Sequence, residues 1–138
     1  MLIQWDESFD VGNDELNKQH KVLVDKVNEM HDSIKAGVGK EKIIEMVNFL
    51  DDYAKMHFKY EEEYFSKNNF PEKTQHCEMH QKFIEAVANA KQKVASGQVD
   101  SGLVIEINKF VAEWLREHIK KKDKRYCEFI KTGVCPAN

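Results

Sequence analysis

The sequence predicts an all-α protein, an antiparallel up-down-up-down four-helix bundle with an extended N-terminal arm and a short C-terminal helix or tail. Three observations lead there. Apolar residues recur at spacings of three and four in four separate stretches, which is the pattern of helices with one buried face. Two prolines and six glycines in 138 residues, with 33% charged and 41% hydrophobic residues, give little punctuation for a sheet and enough charge to solvate outer faces. The links between stretches are short, and short links join antiparallel neighbours. The length suits one domain, divided into an arm over 1–12, a bundle over 13–125 and a tail over 126–138.

In the arm, Trp5, Phe9 and Val11 stand among polar residues without helical period, so their side chains should pack onto the bundle. Asn13 or Asp14 can cap a first helix, in which Leu16, His20, Leu23, Val27, Met30, His31 and Ile34 form the stripe. Glycines at 37 and 39 end it. A second helix from about Lys40 to Ser66 carries Ile43, Val47, Leu50, Ala54, His57, Glu61 and Tyr64, a seven-residue repeat with polar groups in two core positions. Asn68-Asn69-Phe70-Pro71 then reverses the chain. The third helix holds His76, His80, Phe83, Val87, Ala90 and Val94 before Ser96-Gly97 stops it. The fourth begins near Asp100 or Ser101, with Val104, Ile107, Val111, Trp114 and His118 in its stripe.

Several functional classes are disfavoured at this level. A net charge of −3 with interspersed signs gives no basic footprint, so no nucleic-acid partner is expected. No run approaches the length of a membrane span, and the start lacks the pattern of a secretory leader. Three cysteines without a CxxC fit a reducing compartment, and a cytoplasmic location is expected.

The inward polar groups carry the functional argument. His57 and Glu61 are four apart, as are His76 and His80, so each pair can bite one site from one helical face. The turn at 68–71 brings the pairs together, and His20 and His118 fall at the same end of an antiparallel bundle. For any one of these histidines a hydrogen-bonded core residue is the simpler reading. For five of the six in the chain it is not, because clustered neutral rings cannot all satisfy one another and protonated rings repel. A metal resolves the conflict. Five nitrogens plus carboxylate exceed one structural zinc, and imidazole with carboxylate suits iron, although spacing leaves manganese and zinc open. The Glu-x-x-His pairs of ferritin-like di-iron bundles are absent from the sequence.

With these residues in view, the chain resembles the hemerythrin family in its single-domain bacterial form. A first-helix histidine, His-x-x-x-Glu, His-x-x-x-His and His-x-x-x-x-Asp are met by His20, by His57 and Glu61, by His76 and His80, and by His118 and Asp123. Trp5-Asp6, Asn69-Phe70-Pro71, Phe83 and Trp114-Leu115 extend the match over nearly the whole chain. The resemblance implies two iron ions with a bridging oxo or hydroxo group. His76, His80 and His118 would hold one, His20 and His57 the other, and Glu61 and Asp123 would bridge them. One position then stays open on the two-histidine iron, where dioxygen binds reversibly for storage, delivery or sensing. Phe58, Phe83, Trp114, Leu115 and Ile119 are the expected oxygen pocket. The competing class is a di-iron enzyme, an oxidase or peroxide-consuming protein, which would need polar proton donors that this pocket lacks. A monomer is expected, with a transient protein partner allowed for as recipient of the oxygen.

Other residues receive plainer expectations. Asp123 lies about 140° round a regular helix from His118, so its part in the site requires the helix to bend or end near Lys121. The lysine run and Arg125 read as a solvated helix C-terminus. Glu62 and Glu63 fall outside the helical register and should be solvated. His31 faces the same way as His20 but about 16 Å further along, too far to be a ligand. Cys77 should point away from the site as an ordinary thiol.

Overall fold

The computed structural model describes residues 2–97 and 99–135. The outermost residues of the expected arm and tail, 1 and 136–138, lie outside them. Among the described residues all regular structure is helical: α1 Asp14–Lys35, α2 Gly39–Lys67, α3 Lys73–Ala95, α4 Ser101–Glu117, a π-helical turn His118–Asp123 and α5 Lys124–Thr132. None of these helices is long and apolar enough to cross a membrane.

The helix ends have local causes. Asn13 accepts from the backbone N–H of Leu16 and Asp100 from that of Leu103, so α1 and α4 each start on a side-chain cap. The α2–α3 turn is built on Asn69, the one described non-glycine residue with positive φ, at 53°. Asparagine tolerates that conformation better than other side chains. It lets the Phe70 N–H reach back to the Phe65 carbonyl at 3.1 Å, and the two phenyl rings meet at 5.4 Å. Hydrogen bond and ring contact together form a Schellman closure. The turn is therefore fixed by the residues that also line the nearby site.

One continuous core runs through the bundle, from Ile43, Val47 and Leu50 of α2 to Leu16, Leu23 and Val27 of α1 and Val104 and Val111 of α4. In two places the residue next to the expected stripe position takes the core. Tyr64 is only half buried, and its neighbour Phe65 is the core residue, because its ring packs on His76 and Tyr126 at 4.6 and 4.2 Å. Trp114 is half buried, whereas Leu115 faces inward at 2% exposure.

The arm packs as expected but is not extended throughout. Asp6 caps a 3-10 turn over Glu7–Phe9, which buries Phe9 and stacks it on Trp5 at 4.9 Å. Lys120 places its ammonium over the Phe9 ring at 4.6 Å. At the other end of the arm Asn28 holds the Ile3 backbone from both sides, accepting its N–H at 2.9 Å and donating to its carbonyl at 2.8 Å. Asn28→Ala should therefore release the arm at a cost of about 1–3 kcal/mol. Urea unfolding of both proteins checks this, and an unchanged midpoint would show that the arm is not clamped there.

Candidate metal centre

All four bundle helices deliver polar side chains to one end. His20 comes from the second turn of α1, His57 and Glu61 from the last third of α2, His76 and His80 from the first two turns of α3, and His118 and Asp123 from the π-helical turn. The fourth helix does not end near Lys121. It widens: the Lys124 N–H bonds to the Ile119 carbonyl five residues back. A turn closed by such bonds holds about one more residue than an α turn, so residues five apart come round to the same side. His118 and Asp123 thereby share one face, which a regular helix denies them.

The resulting geometry divides each carboxylate between two groups of imidazoles. Glu61 turns Oε2 to the Nε2 atoms of His20 and His57, both at 3.4 Å, and Oε1 to that of His80 at 3.0 Å. Asp123 turns Oδ2 to His20 at 3.0 Å, and Oδ1 to His76 at 2.9 Å and His118 at 3.2 Å. One half of the cluster is thus His20 and His57, the other His76, His80 and His118, with both carboxylates common to the two. Within each half a set of ligand atoms lies within 4.8 Å of one another, and every one of the seven residues is buried.

The charges show what this arrangement lacks. Burial and the neighbouring Asp123 push the Glu61 carboxyl up, but His57 and the hydrogen bonds from His20 and His57 prevail and hold it well below the usual range. Asp123 is likewise raised by burial and lowered further by His118 and by the ring nitrogens of His118, His20 and His76 turned toward it. Burial lowers His20, yet the Asp123 and Glu61 carboxylates beside it carry it up to about 9.

Even so, Glu61 Oε1 and Asp123 Oδ2 have no hydrogen-bond partner of proper direction, despite a nitrogen 3.0 Å from each. The Nε2 atoms of His80 and His118 stand 3.1 Å apart, with a third imidazole ring stacked edge-on beside them. Such a set is short of a cation. Five imidazole nitrogens and two carboxylates, without thiolate, fit iron.

Two residues that orient the ligands escaped the sequence reading. Gln19 Oε1 lies 2.7 Å from His57 Nδ1, and its own amide donates to Glu15 at 3.0 Å, which fixes the oxygen toward the ring. Glu62, expected to be solvated, instead lies 3.0 Å from His80 Nδ1. Both contacts favour a ring proton on Nδ1, so that a bound cation would meet the Nε2 lone pair. The signal for Gln19 was its place four before Leu23 on the edge of the apolar stripe; for Glu62, the run of three glutamates hid it.

Arg125 also departs from expectation, because the helix continues through it into α5. Its guanidinium pairs with Glu72, Nε and a terminal nitrogen each 2.7 Å from one carboxylate oxygen, and so ties α5 to the start of α3.

The expected pocket residues surround the cluster on its inner side. Phe58 lies flat on His80 at 3.9 Å and meets Phe83 and Trp114 edge-on, and Trp114 stacks on His118 at 4.3 Å. Leu115 and Ile119 are buried one turn apart. His31 takes no part in either ligand group. Cys77 is a half-buried thiol pushed up to about 11 by burial and Glu62, and all three cysteines are free.

Residues 11–130 match the family model described as the hemerythrin HHE cation binding domain. A hemerythrin-like protein of Naegleria gruberi is 34% identical over 88% of this chain and 88% of its own length. A bacteriohemerythrin of Methylococcus capsulatus is 33% identical over 78% of this chain and 80% of its own. A crystal structure of wild-type hemerythrin superposes with a TM-score of 0.83 at 30% identity, covering 96% of this chain and 100% of that one. The chain belongs to the hemerythrin family, and its buried His/Glu/Asp cluster is a metal-binding, non-haem iron site.

Proposed function

We propose that the protein binds dioxygen reversibly at a di-iron centre, for oxygen storage, delivery or sensing. The observation that carries this reading is the division of each buried carboxylate between a two-histidine and a three-histidine group. His20 and His57 would hold one iron and His76, His80 and His118 the other, with Glu61 and Asp123 serving both. When bound, the iron pair would supply the two electrons that dioxygen takes up, and the side of His20 and His57, with one imidazole fewer, is the position proposed for oxygen. The similarity to bacteriohemerythrins supports the same reading.

The chain's own residues then have three tasks. The histidines present Nε2 lone pairs, two of them fixed by bonds at Nδ1. The carboxylates keep the cations close at low net charge in a buried site, where unpaired charge is costly. Phe58, Phe83, Trp114, Leu115 and Ile119 exclude water and offer no acid that could protonate the bound ligand. That favours binding without turnover over an oxidase or peroxide-consuming enzyme. Free thiols are consistent with a cytoplasmic setting.

The direct test exposes anaerobic ferrous protein to air and then purges it. Absorbance should return to the starting spectrum, and irreversible bleaching would reject reversible binding. Glu61→Ala should fold but hold well under two irons per chain, whereas His31→Leu should keep both. Metal analysis of the two variants decides, and full occupancy in Glu61→Ala would defeat the bridging assignment. Leu115→Ala removes an inward apolar side chain three residues before His118, at about 2–5 kcal/mol. It should still take up oxygen but autoxidise faster with iron content unchanged, as read from the decay of the oxygenated spectrum. Equal decay rates would remove Leu115 from the barrier against water.

A further inference from the structure

The two residues behind the histidines are chemically unlike, and they stand on opposite halves of the cluster. Among the five site histidines, His57 and His80 are the ones whose Nδ1 faces a side-chain acceptor. Behind His57, in the two-histidine half, the acceptor is the neutral amide of Gln19, itself only 5% exposed. Behind His80, in the three-histidine half, it is the carboxylate of Glu62, whose side chain is 37% exposed. The His20 Nδ1 is buried without a partner. The group in direct contact with the ring is therefore a neutral amide at 2.7 Å behind His57 and a carboxylate at 3.0 Å behind His80.

An acceptor behind a ligating imidazole makes the ring a stronger donor, and a carboxylate does so more than an amide. A stronger donor with an added negative charge favours the more highly charged cation. We propose that Gln19 and Glu62 are positioning residues that make the two halves of the centre unequal in redox preference. Glu62, acting through His80, stabilises the ferric state in the half formed by His76, His80 and His118. Gln19, acting through His57, leaves the half formed by His20 and His57 the easier one to reduce. The bias puts ferrous iron, in half-reduced protein, beside the position proposed for oxygen. Gln19 is held to its neutral role by Glu15, which takes one amide proton and so turns the oxygen to His57.

The inference rests on the di-iron reading above, and the experiment separates the two. Iron-loaded protein is titrated with dithionite in the presence of mediators, following each one-electron step by absorbance and the half-reduced form by electron paramagnetic resonance. Iron content and helical circular dichroism are measured on every sample. In Glu62→Gln the lower-potential step should rise, by about tenfold in the ratio of oxidised to reduced protein, or about 59 mV for one electron. Replacing Gln19→Glu together with Glu15→Gln keeps the hydrogen bond between those positions but sets a carboxylate against His57. That variant should lower the higher-potential step by a similar factor.

Both changes narrow the gap between the steps, from opposite ends, and both should diminish the half-reduced signal. General loosening of the site would move both steps together or lose iron, which neither variant should do. Fewer than two irons in the unaltered protein would overturn the reading of the site and this inference with it. Two irons with both steps unmoved, or moved in the reverse sense, would overturn the inference alone.

Discussion

Two ionised carboxylates buried among five imidazoles are the interaction on which the rest of the molecule turns. Glu61 and Asp123 are almost fully withdrawn from water, where an unpaired charge costs several kcal/mol. They remain charged because rings from every bundle helix converge on them. Each helix therefore gives up core positions that an aliphatic side chain would fill, and the packing around the site is arranged to cover that loss. Phe58, Phe65 and Trp114 each lay an aromatic face or edge on a histidine. The rings exclude water while keeping each imidazole in one orientation. Packing and metal chemistry are served by the same contacts.

The π-helical turn shows how a small backbone change brings a carboxylate into a buried site. An α-helix would leave Asp123 off the face of His118, and a broken helix would expose backbone groups near a buried site. Widening the helix by one residue per turn keeps the hydrogen bonds and rotates Asp123 inward. The same register carries Tyr126 into the aromatic cluster with Phe65 and Phe70, and sets Arg125 opposite Glu72. The segment after the site is thus a second consequence of the turn that makes the site.

Most of the architecture was legible because a bundle is written in periodicity, and apolar spacing and turn residues placed the starts of all four helices, and the ends of the first three, within a residue or two. Six of the seven polar residues stood out because five histidines and Glu61 occupied positions where hydrophobes belong. What was hidden obeys other rules. No periodic count reveals a π turn, since the same letters fit an α-helix; only the family likeness marked Asp123. Gln19 and Glu62 could not be seen because their role depends on which neighbour a ring edge meets. Arg125 was misread because a lysine run looks like the end of a helix when the helix goes on.

The bundle is also polarised along its length. Every metal-facing residue lies toward the end closed by the Asn69 turn, while the turns at Gly37 and Gly97 occupy the opposite end, each with positive φ near 81° and open space where a side chain would project. Three or more helical turns of ordinary aliphatic core separate the two ends. Nothing in the site fixes how far those helices run beyond it or what joins them. The distal hairpins are therefore the part of the molecule free to lengthen, to accept an inserted segment or to carry an attached module while the chemistry stays intact. The scaffold keeps its chemistry and its room for novelty at different addresses.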